Sequence, residues 1–302
     1  MKWLSYKSFS GYSQKGYSAV NRWCFNPLLH LHRAVLLTAQ LEGPYWGTVQ
    51  SYDGAGMSAG LFHHVAVLPN RPKTPQGSLW KLLRHMEVAA AGKGYGSVRA
   101  LFEALADRSW FVSQDGQLRD TVTGALIPGE DIRTELSGPK GKVPKGDTNA
   151  IGWVRVFHDL FADPALIPAQ IDFAVGWLID GQSSAERYFY HKFGGGVQYT
   201  QQLSHLSPDF DLAMCAYHSH SVNAPGMAVK VLNRLKGRAL SADDFPRALI
   251  RALGKTRYGA WLDLPGDRGR SRYDRTRLAA MKLDLWPADL FTASGIMPKD
   301  LL

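Results

Sequence analysis

Between Asn26 and Leu41 apolar residues fall on nearly every side of a helical wheel, and Gly43-Pro44 ends the pattern abruptly. Asn26 can cap free N–H groups and Pro27 suits a first helical position. Leu28, Leu29, Leu31, Val35, Leu36, Leu37, Ala39 and Leu41 then predict a helix buried in a core. A chain of 302 residues is long enough to build that core, as one large domain or two lobes. Glu42 falls on the last turn, where the helix dipole opposes an anion. Partial burial there raises a carboxyl pKa, which suits a general acid near neutral pH.

After the stop, Thr48 to Tyr52 reads as a short strand. Asp53-Gly54-Ala55-Gly56 reads as a turn, and Met57 to Val67 as the returning strand. Asp53 and Ser58 would then stand on a hairpin facing the helix end. Two carboxyl groups across a cleft suit glycoside hydrolysis. One protonates the leaving oxygen, and the other activates water or attacks the sugar.

This order of elements resembles the catalytic core of the lysozyme superfamily, in particular phage-type lysozymes and the chitosanases that share their fold. Those families end a long helix on a catalytic Glu and continue into a hairpin bearing Asp, with Thr or Ser five or six residues later. Their Gly-x-[Thr/Ser]-x-Gly segment is matched by Gly56-Met57-Ser58-Ala59-Gly60. The resemblance covers residues 26–67. It implies Glu42 as acid, Asp53 as base or electrostatic partner and Ser58 as the hydroxyl that orients water, with Ser in place of the commoner Thr. His63 falls where phage-type enzymes often carry a structural His. Tyr45, Trp46 and Tyr52 flank the proposed site as rings on which sugars can stack, and His63 joins them as a candidate substrate contact. The Asp–x4–Ser spacing is similar to that of inverting members, and no metal or organic cofactor is implied.

The remaining chain predicts mostly helices. Residues 1–25 read as a Ser/Tyr/Lys-rich arm before a single domain, 26–302. Its parts are the catalytic helix and hairpin (26–110), a loop or β excursion (110–147) and a helical lobe (148–302). Pro69 to Pro75 is a Pro-rich connector. Gly77-Ser78 opens a helix to about Ala91, with Leu79, Leu82, Leu83 and Met86 on one side, and Ser97 caps another to about Asp107. The intervening Gly92-Lys93-Gly94-Tyr95-Gly96 is a turn rather than a nucleotide loop, since no strand precedes it and no Gly-Lys-Ser/Thr follows. Helical patterns recur at 149–161, 167–179, 184–193, 210–220, 225–235, 245–253 and 277–285. The expected fold class is mainly α with one small antiparallel β-hairpin or sheet, a lysozyme-like core enlarged by extra helices.

Other clusters compete for chemistry. Cys215 and His218 could share a helix face, the basis of an alternative reading as a cysteine-dependent peptidoglycan amidase. His218 and His220 lack a third metal ligand at a suggestive spacing. Of His63 and His64, one should point inward as a buried hydrogen-bonding residue. Glu186 is the second choice of acid. Two cysteines, Cys24 and Cys215, indicate no disulfide framework.

A net charge of +9 favours an anionic partner. Peptidoglycan or a related amino-sugar polymer fits; the alternative within the class is a chitosanase or chitinase of the same fold, of which a chitosanase would face a cationic polymer. A non-catalytic wall-binding protein is the remaining alternative. Arg268 to Arg277 is the strongest basic run, but without a nucleic-acid motif it reads as a solvated or wall-binding surface, and a nucleic-acid partner is not expected. Met1 to Trp23 has no apolar core of a Sec signal. No run approaches the length of a membrane span. Access to the wall would therefore be through holin release, carriage on a virion or a secretion system.

Overall fold

The computed structural model describes residues 31–35, 38, 49–50, 54–62, 64–68, 73–91, 93–94, 96–137, 148–180, 184–189, 210, 213–214, 216–218, 225–236, 238, 240–241 and 244–256. The fold is mainly helical with two small antiparallel sheets. The chain divides into two compact units, residues 1–20 with 42–173 and residues 21–41 with 174–302.

In the first unit, strands β1 (Val49–Gln50), β2 (Ser58–Ala59) and β3 (His64–Val65) form one sheet in that order. The expected single return from Met57 to Val67 is two strands, because the chain reverses after Ala59. Gly60 at φ 71° starts the reversal, a conformation that glycine adopts without the Cβ penalty. Phe62 at φ 67° completes it at a cost that the packing around it must offset.

Four helices of this unit follow the sheet in sequence. They are α1 (Leu79–Ala90), α2 (Gly96–Ala106), α3 (Gly129–Ser137) and α4 (Thr148–Ala162). Helix α1 buries Leu79, Leu82, Leu83 and Met86 as the periodicity predicts, and adds Trp80. Helix α4 turns Trp153, Val154, Phe157, Leu160 and Phe161 into the same core. There the Phe157 ring meets Trp80 edge-on at 6.5 Å and stacks on Phe161 at 6.3 Å. Each such buried ring contributes about 1.5–3 kcal/mol relative to exposure.

The expected β excursion holds a hairpin and a helix. Strands β4 (Trp110–Val112) and β5 (Leu118–Asp120) pair with Phe111 opposite Arg119. Helix α3 then opens with Glu130 and Asp131 in its first turn, where the dipole favours anions. It buries Ile132 and Leu136, one turn apart. Glu135 on α3 accepts hydrogen bonds from Arg108 Nε at 2.6 Å and Trp153 Nε1 at 3.0 Å, tying α3 to the turn after α2 and to α4. Ser97 is not a cap. It lies inside α2, and its hydroxyl donates to Asp163 at 2.6 Å.

Helix α5 (Ile167–Asp180) carries the division between the units. In the second unit, residues 31–35 and 38 are helical, with Val35 buried as expected, Leu31 only partly buried, and Arg33 and Ala34 buried as well. Then come the short α6 (Ser184–Arg187), α7 (Pro225–Lys236) and α8 (Asp244–Gly254). Their core is Phe189, Phe210, Met214, Tyr217, Val231, Leu232, Leu235, Phe245, Leu249 and Leu253. The Tyr217 hydroxyl donates to the Ala185 carbonyl at 2.6 Å, so that this buried polar group is satisfied. The expected helix at 277–285 and the basic run Arg268 to Arg277 lie outside the described residues.

Candidate functional site

The β1–β2 hairpin is the part of the proposed glycosidase core that can be followed residue by residue. Gln50 pairs with Ser58 and Val49 with Ala59, so residues 51–57 are the connection and Asp53 belongs to it in sequence. Gly54 and Gly56 on this connection have φ of 79° and 75°, the left-handed region expected of a glycine turn. The following segment is stitched down by two backbone bonds. Ala66 N–H donates to Met57 O at 2.8 Å, and Val67 N–H donates to Ala55 O at 3.1 Å.

The turn also rests on α3. A Cβ on Gly56 would stand 3.2 Å from the Arg133 Cα, so a larger residue there would push the loop off the helix. Arg133 pairs with Glu130 through its terminal nitrogen, while its buried Nε has no hydrogen-bond partner among the described residues. Sequence reasoning missed Arg133, because residues 110–147 read as loop. The signal that could have found it is Pro128 followed by Gly129-Glu130-Asp131, a helix start with acids in the first turn.

Ser58 lies in β2, opposite Gln50 and Val65, and is 1% exposed. A hydroxyl so enclosed can orient only a water held within the protein. Of the two adjacent histidines, His64 points inward, as alternation across a strand predicts. It is 3% exposed, its Nδ1 lies 3.0 Å from the Ser78 hydroxyl, and its ring meets Phe173 edge-on at 5.0 Å. Its environment is that of a structural histidine tying β3 to the start of α1. Glu42, Asp53, Tyr45, Trp46, Tyr52 and His63 lie outside the described residues.

Among the described residues two carboxylates have clearly shifted titration, both downward. Asp115 is lowered by the Ser113 hydroxyl and by Arg119, and Asp120 by the Thr123 N–H and hydroxyl and the Val122 N–H. A general acid needs the opposite shift, so neither competes with Glu42 for that role. Both fasten the β4–β5 hairpin instead.

Of the alternative thiol site, Cys215 lies outside the described residues, and His218 is 1% exposed within the second core. Glu186 sits in α6. Among the described residues no three His, Cys, Asp or Glu side chains converge as a metal site. No described helix is long and apolar enough to cross a membrane.

A second feature went unread in the sequence. Arg234 and Arg238, at the end of α7 and just beyond it, and Arg247 and Arg251 along α8 with Lys255 just after it, line a common groove. The available signal was the recurrence of a cation at every fourth residue from Arg247 to Lys255.

Against this geometry, no protein-family model, no curated protein and no solved structure matches the chain.

Proposed function

We propose that this protein is a lysozyme-like glycoside hydrolase that cleaves the β-1,4 bonds of peptidoglycan. The observation that supports it best is the pairing of Gln50 with Ser58, which makes the segment bearing Asp53 the connection of an antiparallel hairpin. A third strand and α3 brace that hairpin. In this reading Glu42 protonates the glycosidic oxygen as the bond to the sugar breaks. Asp53 activates the attacking water or stabilises the oxocarbenium-like transition state, and Ser58 orients an enclosed water. A separation of about 6.5–9.5 Å between the two carboxyl groups gives inversion, and about 5–5.5 Å gives retention. The +9 charge favours an anionic wall over cationic chitosan. The burial of His218 gives the thiol amidase reading no added support.

The test is release of reducing ends from purified peptidoglycan by the native chain, Glu42→Gln and Asp53→Asn. Removal of a general acid costs about 10²–10⁴ in rate. Glu42→Gln should therefore fall at least about a hundredfold while its circular dichroism is unchanged. Equal activity of native and Glu42→Gln, or release of free amines in place of reducing ends, would refute the proposal.

A further inference from the structure

We infer that the groove between α7 and α8 binds the phosphate backbone of a duplex nucleic acid, without reading its sequence. The inference is independent of the glycosidase proposal and concerns the second unit alone. The two helices bury Val231, Leu232 and Leu235 on one side and Phe245, Leu249 and Leu253 on the other, and leave a groove of about 600 Å³ along their outer edge. Among the described residues its rim carries five exposed cations, Arg234, Arg238, Arg247, Arg251 and Lys255, and one carboxylate, Asp244. That carboxylate accepts the Ser241 hydroxyl at 2.6 Å, while Ser241 Oγ accepts the Asp244 N–H at 3.1 Å. Asp244 is thus engaged in capping α8, and the groove keeps an excess of positive charge.

Helix stability does not account for this arrangement. Arg234 and Arg251 lie in the last turns of their helices, where cations complement the dipole. Arg247 lies at the end of the first turn of α8, where the dipole opposes it. Like charges four residues apart also destabilise a helix by a few tenths of a kcal/mol per pair. Among the described residues, Arg234, Arg238, Arg251 and Lys255 form no ion pair. Among the described residues, Arg234, Arg238, Arg251 and Lys255 are thus open to an external anion.

The shape of the row selects the ligand. Arg247 and Arg251 are about 6 Å apart along α8 and Lys255 follows directly after its end, so the three are arrayed along the groove rather than drawn from one turn. A line of cations suits an extended polyanion better than a single phosphate. Four of the five are arginines, whose forked donors match phosphate oxygens. Among the described residues no aromatic side chain lines the groove, so they offer an unpaired base or a sugar ring no surface to stack on. The exposed large hydrophobic residues among those described are Val88, Phe111, Val122 and Leu126, all in the first unit. Among the described residues, then, no exposed large hydrophobic side chain borders the groove. A duplex, with a negative charge about every 1.7 Å of its axis and its bases stacked inside, meets all of these conditions.

The test is fluorescence anisotropy of a labelled 20-base-pair duplex of random sequence titrated with the full chain between 50 and 200 mM salt. Binding is expected to weaken steeply with salt. The triple variant Arg247→Gln/Arg251→Gln/Lys255→Gln should lose at least tenfold in affinity, and its log–log salt slope should fall by about 2–3, near 0.9 per phosphate contact. The single variants Arg247→Gln and Lys255→Gln, which change only exposed side chains, should each lower the slope by about 1 and so cover a triple variant that folds poorly. Failure of the native chain to bind the duplex at 50 mM salt overturns the inference. So does an unchanged slope in the variants, which would place binding elsewhere, for example at residues 268–277. Tighter binding to phosphatidylglycerol vesicles or to soluble peptidoglycan fragments than to the duplex also overturns it.

Discussion

Replacing Gly77 by alanine should unfold the first unit's sheet from α1, although it adds one methyl group. A Cβ at this position would stand 2.1 Å from the Val65 carbonyl oxygen and 2.8 Å from both the Val65 carbonyl carbon and Cγ2. The blocking atoms are backbone and a stiff β-branched side chain, so none can swing aside. Opening the oxygen contact to the 3.0 Å that real side chains tolerate requires a shift of about 0.9 Å. That shift would stretch the bond in which Gly77 N–H donates to Ala66 O, now 2.8 Å, beyond hydrogen-bonding range. It would also strain the neighbouring Ser78–His64 contact at 3.0 Å and the Trp80 Nε1 bond to Ala66 O at 2.8 Å. One bond lost at about 1 kcal/mol and overpacking of about 1–3 kcal/mol, with partial loss of the other two, give about 3–5 kcal/mol. At about 2–4 °C per kcal/mol, the melting temperature should fall by roughly 6–20 °C. The control is Gly152→Ala in the middle of α4, where nothing stands within 4 Å of a new Cβ. There the same change should stabilise by up to about 1 kcal/mol. Melting curves of both variants by circular dichroism decide the matter. If Gly77→Ala melts with the native protein or with the control, the close approach of residues 65 and 77 is wrong.

Gln76 donates through Nε2 to the Leu118 and Ile127 carbonyls at 2.8 Å and accepts the Leu118 N–H at 2.7 Å, so Gln76→Ala should cost about 2 kcal/mol in urea denaturation. A midpoint unchanged from native would show that solvent replaces all three bonds. Asp120 titrates below its usual 3.8, held there by the Thr123 and Val122 donors. Its contribution is therefore present above the unfolded value and lost as pH falls through the lower folded value. The native melting temperature should drop more steeply than that of Asp120→Asn as pH falls below about 4, and parallel curves would contradict this. In the second unit, Leu249→Ala empties a fully buried position and should cost about 2–5 kcal/mol, read as a lower urea midpoint.

The helices most legible in the sequence are those whose apolar residues recur with the helical period. The expected 149–161, 167–179, 225–235 and 245–253 are found as Thr148–Ala162, Ile167–Asp180, Pro225–Lys236 and Asp244–Gly254. Helix α3 was not legible by periodicity, because Ile132 and Leu136 are its only large buried side chains and its neighbours are Gly, Pro and Thr. Its stability comes from burying those two residues in a core built by other segments. Ser97 carried a capping residue's chemistry, but its hydroxyl is used by Asp163, 66 positions away.

Of the candidate site, the sequence by itself determined the hairpin turn at Gly54–Gly56, because only glycine adopts those backbone angles freely, and the inward turn of one of two adjacent histidines, because strand side chains alternate. Only the tertiary structure decided that the return from Met57 breaks at Gly60, that Ser58 is enclosed, and that Arg133 lies beneath the turn. The basic groove belongs to the same class. Arg234 and Arg251 are 17 residues apart and meet along one edge only because α7 and α8 pack their leucines together. Periodicity reports which face of an element is buried, and glycine reports where the backbone must turn. Which faces meet depends on packing between segments distant in sequence, and that information is carried by no single stretch of the chain.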